Sequence, residues 1–226
     1  MVNLLLKDKG YKDQRSMSMK EDKDLSPAYS KYVKAKSMKE QRELWKEFLP
    51  THKLSRAKKE ISYSDESEGI FFIPKIECDC DPLIFILSLL DKKMGRDFNN
   101  LLEETTGPNF QRYIQTKTKL LLLEDSFIKA QLGASQRNKS ARHFDLDHKS
   151  RNQTGLTLFE GLVISCVTHV ERFNSDDDLK MVCPGNFIRM DNGILVPAIF
   201  REEKKIFVKW VYSDLSHENY GMATKF

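Results

Sequence analysis

The sequence predicts an α+β domain, in which a mixed or antiparallel sheet packs against helices, with a basic helical N-terminal arm in front of it. Three observations lead to this prediction. Short runs of β-branched and aromatic residues recur along the chain, two apolar segments begin at helix-capping residues, and lysine is concentrated near the start. Of the 226 residues 40% are hydrophobic, which is enough to bury a core. We place the arm and a linker at residues 1–68 and a single domain at residues 69–226.

The arm is expected to contain one main helix. It would run from Pro27 to about Leu49, because Ser26 can cap it, proline suits a first helical position and Pro50 ends it. Its apolar stripe is narrow, which favours a solvated, lysine-rich helix, although the arm could equally fold back on its own body. Residues 51–68 are charged and serine-rich, and we predict a linker or exposed loop there.

The domain is predicted to open with a buried strand and a buried helix. Ile70 to Ile73 form an apolar run bounded by glycine and proline, which is typical of a buried strand. Asp81 is a good N-cap and Pro82 a good first-turn residue for a helix over residues 82–93. This segment is apolar on all sides as far as Leu90, so the helix should lie deep in the core; a strand is the competing interpretation.

The middle of the chain gives weaker signals. Leu120 to Leu123 form a second short apolar run and are predicted to be a buried strand. Residues 133–155 are polar and lack a sustained apolar period, so we expect a long loop there.

A helix and a β meander are expected to complete the domain. Thr157 and Glu160 have the spacing of a capping box, which begins a helix that should reach about Phe173. Beyond it, apolar runs separated by turn residues predict strands at residues 179–183, 194–200 and 206–212. These strands should form the antiparallel part of the sheet.

The charge of the chain is divided unevenly. Residues 1–60 carry 16 Lys+Arg and 9 Asp+Glu, a net charge of +7, whereas residues 61–226 carry 21 and 24, a net charge of −3. This split, with no convincing catalytic set, predicts a non-enzymatic binding or adaptor protein whose arm engages an acidic protein partner. The residues expected to make that contact are Lys31, Lys34, Lys36, Lys39, Arg42 and Lys46. Nucleic-acid binding by the same arm is an alternative.

Several other classes of protein are disfavoured. The longest apolar run, Pro82 to Leu90, is interrupted by Ser88 and is far shorter than the roughly 20 residues that span a bilayer. Residues 1–6 are too short for the apolar part of a signal peptide. Four cysteines in a chain of this length are not a disulfide framework, so we expect a reducing, cytoplasmic location. We expect no cofactor, and the sequence predicts no particular oligomeric state.

An enzyme is the main alternative, and one version of it needs a metal. Side chains alternate along an extended chain, so His143, Asp145 and Asp147 would point the same way. That face could ligate a divalent metal, or it could pair a histidine base with a carboxylate. The competing interpretation is a solvated loop whose aspartates make turns and caps.

Three motifs follow one another in the C-terminal third. They are Ser150-Arg151 with Leu156-Thr157, Glu160-Gly161 and Thr168-His169, then Val196-Pro197-Ala198, and last Trp210-x-Tyr212 with His217, Gly221 and Ala223. Their order and spacing resemble an uncharacterised, domain-of-unknown-function family of small, mainly actinobacterial proteins. The resemblance is clear over roughly residues 150–226 and implies one intact bacterial domain. It implies no activity, because that family has no established one.

The resemblance suggests a second version of an enzyme. Arg151, Glu160, His169 and His217 match positions of the family, and they could form a hydrolytic site if the fold brings them into one cleft. The structural interpretation of the same residues is that Glu160 caps its helix, Arg151 pairs with an acid and His217 bonds a backbone carbonyl.

Overall fold

The structure is a computed structural model that describes residues 38–48, 69–76, 79–117, 125–133, 136–148, 153–165, 179–202 and 205–226. Within these ranges helices combine with mixed and antiparallel sheets, so the predicted α+β class is confirmed. No helix in the described ranges is both long enough and apolar enough to cross a membrane.

The described elements are five α-helices and eleven strands. In chain order they are α1 (Met38–Phe48), β1 (Gly69–Ile73), α2 (Pro82–Met94), β2 (Phe98–Asn100), α3 (Leu102–Thr106), β3 (Gln115–Thr116), β4 (Ser126–Gln131), α4 (Ala141–His148), β5 (Thr154–Gly155), α5 (Leu158–Val163), β6 (Lys180–Val182), β7 (Asn186–Met190), β8 (Gly193–Glu202), β9 (Lys205–Tyr212), β10 (Tyr220–Met222) and β11 (Thr224–Lys225). Two 3₁₀ turns, Gly95–Asp97 and Phe110–Tyr113, accompany them.

The strands form two sheets. The smaller sheet is antiparallel, in the order β1-β4-β11-β5. The larger sheet has seven strands around β8, which pairs with β9 along one edge and with β6 and β7 at successive positions of the other. It is mixed, because β10 lies parallel to β6 and β2 lies parallel to β9. The chain passes from the larger sheet to the smaller between Met222 and Thr224, so its last strands tie the two sheets together.

One hydrophobic core joins both sheets to the central helices. Phe71 of β1, Leu87 of α2, Leu162 of α5 and Trp210 of β9 are all buried members of the same cluster. Asp81 caps α2 as predicted, since its Oδ1 accepts from the backbone N–H groups of residues 83 and 84. The predicted buried helix is therefore confirmed over Pro82–Met94.

Helix α1 belongs to this core as well. Trp45 is fully buried in the cluster, and the Gln41 side chain bonds the backbone of β1. The described part of the predicted arm helix thus packs on the domain rather than being solvated on all sides. Residues 1–37 and 49–68, with the rest of the arm and the predicted linker, lie outside the described residues.

A second, smaller cluster covers the opposite face of the larger sheet. Ala141 and Phe144 of α4 pack there against strand residues that include Val182, Ala198 and Val211. The prediction of a long loop over residues 133–155 is therefore wrong, because two apolar residues three positions apart are enough to dock a short helix on a sheet.

The C-terminal meander is confirmed and is longer than predicted. Strands β6, β8 and β9 correspond to the three expected runs, and β7 adds a strand between the first two. The predicted strand at Leu120–Leu123 and the second half of the helix that begins at Thr157 lie outside the described residues.

Candidate functional site

The hydrogen bonds and the ion pair of Glu160 indicate a structural role. Its Oε2 accepts hydrogen bonds from the backbone N–H of Thr157 at 2.8 Å and from the Thr157 hydroxyl at 2.9 Å, and the same hydroxyl accepts the Glu160 N–H. Its Oε1 lies 2.5 Å from Nζ of Lys225, the last residue of β11. The carboxylate is thus buried, completes the capping box of α5 and forms an ion pair with Lys225. This agrees with the structural interpretation of the sequence, in which Glu160 caps its helix.

The environment of Cys183 disfavours a reactive thiol. The side chain is fully buried beneath α5, where a Cβ added at Gly161 would lie 2.6 Å from its Sγ. Burial, and to a lesser degree the negative charge of Glu160, raise the pKa of the thiol. A nucleophile needs the thiolate form, which this site disfavours.

The predicted catalytic set does not form a hydrogen-bonded unit in the part that the structure describes. Arg151 and His169 lie outside the described residues. His217 is exposed; its Nδ1 accepts from the Asn219 N–H at 3.2 Å, whereas Glu160 is buried with other partners. His217 therefore bonds a backbone N–H and not the carbonyl that the structural interpretation expected. The four-residue site stays a prediction.

The metal hypothesis assumed an extended backbone, and that assumption is wrong. His143, Asp145 and Asp147 lie in α4, and residues two apart on a helix do not share a face. The His143 ring is exposed and its Nδ1 lies 2.8 Å from the hydroxyl of Ser140. The side chains of both aspartates lie outside the described residues, among which no three potential metal ligands cluster.

Two of the six predicted partner-binding residues have described side chains. The guanidinium of Arg42 lies 5.7 Å from the centre of the Phe72 ring, and Lys46 forms an exposed ion pair with Glu43. The others, Lys31, Lys34, Lys36 and the side chain of Lys39, lie outside the described residues.

A different set of lysines meets aromatic rings on the larger sheet, on the face that α4 partly covers. Tyr220 is the parallel partner of Lys180, the register of β6 on β8 places Lys180 beside Phe200, and Phe200 is directly opposite Phe207. Partners across a sheet share a face, so these four residues form one line across four strands. Lys209 lies next to it, two residues along β9 from Phe207. We call these five residues the lysine–aromatic row.

The two ammonium groups of the row converge on one ring. Nζ of Lys180 lies 5.0 Å and Nζ of Lys209 lies 4.9 Å from the centre of Phe200, and Lys180 is also 5.7 Å from the centre of Tyr220. The Phe200 and Phe207 rings stack at 5.3 Å. In the part of the chain that the structure describes, neither lysine pairs with a carboxylate. Each ring contact contributes about 0.5–1 kcal/mol and leaves the cation able to bind an anion.

The sequence carried a signal for this row that was not interpreted as a site. Along β9, Phe207, Lys209 and Val211 alternate with the core residues Ile206, Val208 and Trp210, which marks a second, mixed face. Lys180 and Tyr220 could not be assigned to that face, because only the strand order brings them beside Phe200.

Comparisons of the chain with protein-family models, with curated proteins and with solved structures find no match. The family resemblance of the C-terminal third therefore stays a prediction.

Proposed function

We propose that this protein is a non-enzymatic binding protein that engages an acidic protein partner through the lysine–aromatic row, with the basic N-terminal arm adding charge. The observation that carries the proposal is that Lys180 and Lys209 converge on Phe200 without a carboxylate of their own in the described residues. Two cations held by one rigid ring form a preorganised site for carboxylates, since less side-chain freedom is lost on binding.

The environment of the rings favours carboxylates over stacked bases. A nucleic-acid platform needs free ring faces on which bases stack. Phe200 is only 4% exposed and is covered by Phe207 and the two lysines, so it offers no such face. The row therefore supplies point charges on an apolar support, which suits glutamate and aspartate side chains.

The arm extends the same chemistry. Its net charge of +7 over residues 1–60 would strengthen and steer the approach of an acidic surface. We place the protein in the cytoplasm, where cysteines stay reduced, which suits the buried thiol of Cys183.

The test is binding of a fluorescent polyglutamate peptide, measured by anisotropy at several salt concentrations. A K180Q/K209Q double variant should bind at least tenfold more weakly and with a shallower salt dependence, because two charges are lost. The matched control is K92Q/K93Q, which removes the same charge at the exposed end of α2, away from the row. A third variant, with Lys31, Lys34 and Lys36 changed to glutamine, measures the contribution of the arm.

Two results would contradict the proposal. One is equal loss in the row variant and the control, which would indicate general charge attraction. The other is binding of an oligothymidylate more tightly than polyglutamate with the same dependence on Lys180 and Lys209, which would indicate nucleic acid as the partner.

A further inference from the structure

A cleft on another part of the molecule is independent of the lysine–aromatic row. It lies between the start of α2, the 3₁₀ turn Phe110–Tyr113, β3 and the start of α5, and it encloses about 190 Å³. An apolar cavity of about 150 Å³ accepts a benzene-sized molecule, so one aromatic ring with a small substituent fits this volume. Leu83, Ile114 and Phe159 give the cleft an apolar wall.

Four polar side chains from different elements line the same cleft. Asn186 accepts the Leu158 N–H at 2.6 Å and donates to the Thr116 hydroxyl at 2.9 Å, so both side chains are held in place. Asp81 uses its Oδ1 to cap α2, which leaves its second carboxylate oxygen for another partner. The polar groups are thus fixed before any ligand arrives, as in preorganised small-molecule sites.

Gln111 is the unsatisfied member of the set. Its Oε1 is buried and has no hydrogen-bond partner among the described residues. A buried carbonyl without a partner is unfavourable, and a half-turn of the amide exchanges its oxygen for its NH₂ group. Because Gln111 lines the cleft, a ligand that offers both a donor and an acceptor can bond whichever end of this amide faces the cleft.

We propose that the cleft binds a small neutral molecule with a primary carboxamide, or a similar donor next to an acceptor, on an apolar ring. The carboxamide N–H would bond the free oxygen of Asp81, its carbonyl would bond the side-chain amides, and the ring would lie against Phe159 and Leu83.

The charges around the cleft favour a neutral ligand over an anion, which would approach the Asp81 carboxylate. The positive end of the α2 dipole beside Asp81 offsets part of the attraction that this carboxylate would exert on a cation. A neutral head group that carries both a donor and an acceptor avoids the repulsion and still bonds the carboxylate.

The probes are benzamide, acetophenone and benzoate, which share one ring and differ in the head group. Binding to the full-length protein is followed by amide chemical-shift changes in NMR titrations. Small fragments of this size bind with a Kd of about 1 mM, which such titrations measure. We expect benzamide to bind at least tenfold more tightly than either of the others, with shifts confined to the residues that line the cleft.

Two variants assign the head-group contacts. Asn is as good an N-cap as Asp, so Asp81→Asn keeps α2 intact while it removes the charge, and benzoate should then gain at least fivefold relative to benzamide. Gln111→Leu should reduce the preference for benzamide over acetophenone, whereas Gln115→Leu, on the exposed neighbouring strand β3, should not.

Equal binding of benzamide and acetophenone to the unmodified protein would overturn the proposal. So would the absence of benzamide binding, shifts outside the cleft, or a benzamide preference that survives Gln111→Leu. None of these outcomes depends on Lys180 or Lys209, so this test is separate from the test of the proposed function.

Discussion

The side-chain amide of Gln41 replaces a missing neighbour strand for Phe72. Its Oε1 accepts the backbone N–H of Phe72 at 2.8 Å, and its Nε2 donates to the backbone carbonyl of Ile70 at 2.8 Å. Strand β1 is the edge of the smaller sheet, and an open edge carries unpaired backbone groups that invite association with other chains. One buried glutamine on α1 thus closes part of that edge.

Replacing Gln41 with alanine should destabilise the protein by about 2–6 kcal/mol. The change would leave the N–H of Phe72 and the carbonyl of Ile70 buried without partners, at a cost of about 1–3 kcal/mol for each group. Urea unfolding should show a lower midpoint with an unchanged slope. The control is Glu43→Gln on the same helix. The Glu43 side chain is half exposed, so this substitution should change the midpoint little. A Gln41→Ala midpoint equal to that of the control would mean that the edge is satisfied in another way.

Local signals in the sequence predicted the elements that begin at capping residues. Asp81 and Thr157 each start a helix where expected, because an N-cap acts on backbone groups two or three residues away. The apolar runs of β8 and β9 predict strands for the same reason, since each run is complete within one strand.

Features that depend on distant pairs were not predicted. Helix α4 exists because Ala141 and Phe144 meet a sheet face built from later strands. The lysine–aromatic row needs β6 and β10 to be neighbours, and the cleft needs Asp81 and Asn186 to meet. Nothing within a few residues of these positions specifies which distant residues they meet, so a single sequence does not predict these contacts.

Replacing Lys225 with methionine should destabilise the protein by about 3 kcal/mol, because it leaves the buried carboxylate of Glu160 without its cation. The double variant E160Q/K225M should regain part of that loss, since no charge is then left unpaired. Thermal unfolding of the two single variants and the double variant gives the coupling between the side chains. Lys205→Met, at an exposed position of β9, is the control. Additive effects of the two substitutions would contradict a direct interaction.

A size exchange between α5 and the residue that follows β6 should also show coupling, here from steric contact instead of charge. Gly161→Ala alone should cost about 2 kcal/mol, because the new methyl group would lie 2.6 Å from the sulfur of Cys183. Cys183→Ala alone should cost about 1 kcal/mol for the small cavity that it leaves.

The double variant G161A/C183A should be more stable than the sum of the two changes predicts, since the added methyl group then occupies space vacated by the sulfur. Alanine is also more favourable than glycine inside a helix, by about 1 kcal/mol. Urea unfolding of all four proteins measures the coupling. A double variant less stable than the additive value would show that Ile199 or Met181, the next nearest side chains, limits the space instead.

The Cys183 thiol should make stability fall at high pH. Its pKa in the folded state is raised by burial and by Glu160, whereas the unfolded thiol titrates near pH 8.5. Above that pH the unfolded state binds fewer protons than the folded state, so the free energy of unfolding decreases by up to about 1.4 kcal/mol per pH unit. Below pH 8.5 the contribution is fully present. Unfolding free energies of the unmodified protein and Cys183→Ala, measured from about pH 7 to about pH 10, should converge up to about pH 9 and then cross, because the loss of about 1.4 kcal/mol per pH unit comes to exceed the roughly 1 kcal/mol that Cys183→Ala costs. Iodoacetamide labelling followed by peptide mapping gives a second readout, in which exposed Cys80 reacts in the folded protein and Cys183 reacts only on unfolding. Parallel pH profiles of the two proteins, or rapid labelling of Cys183 in the folded state, would show that the thiol is reachable by solvent.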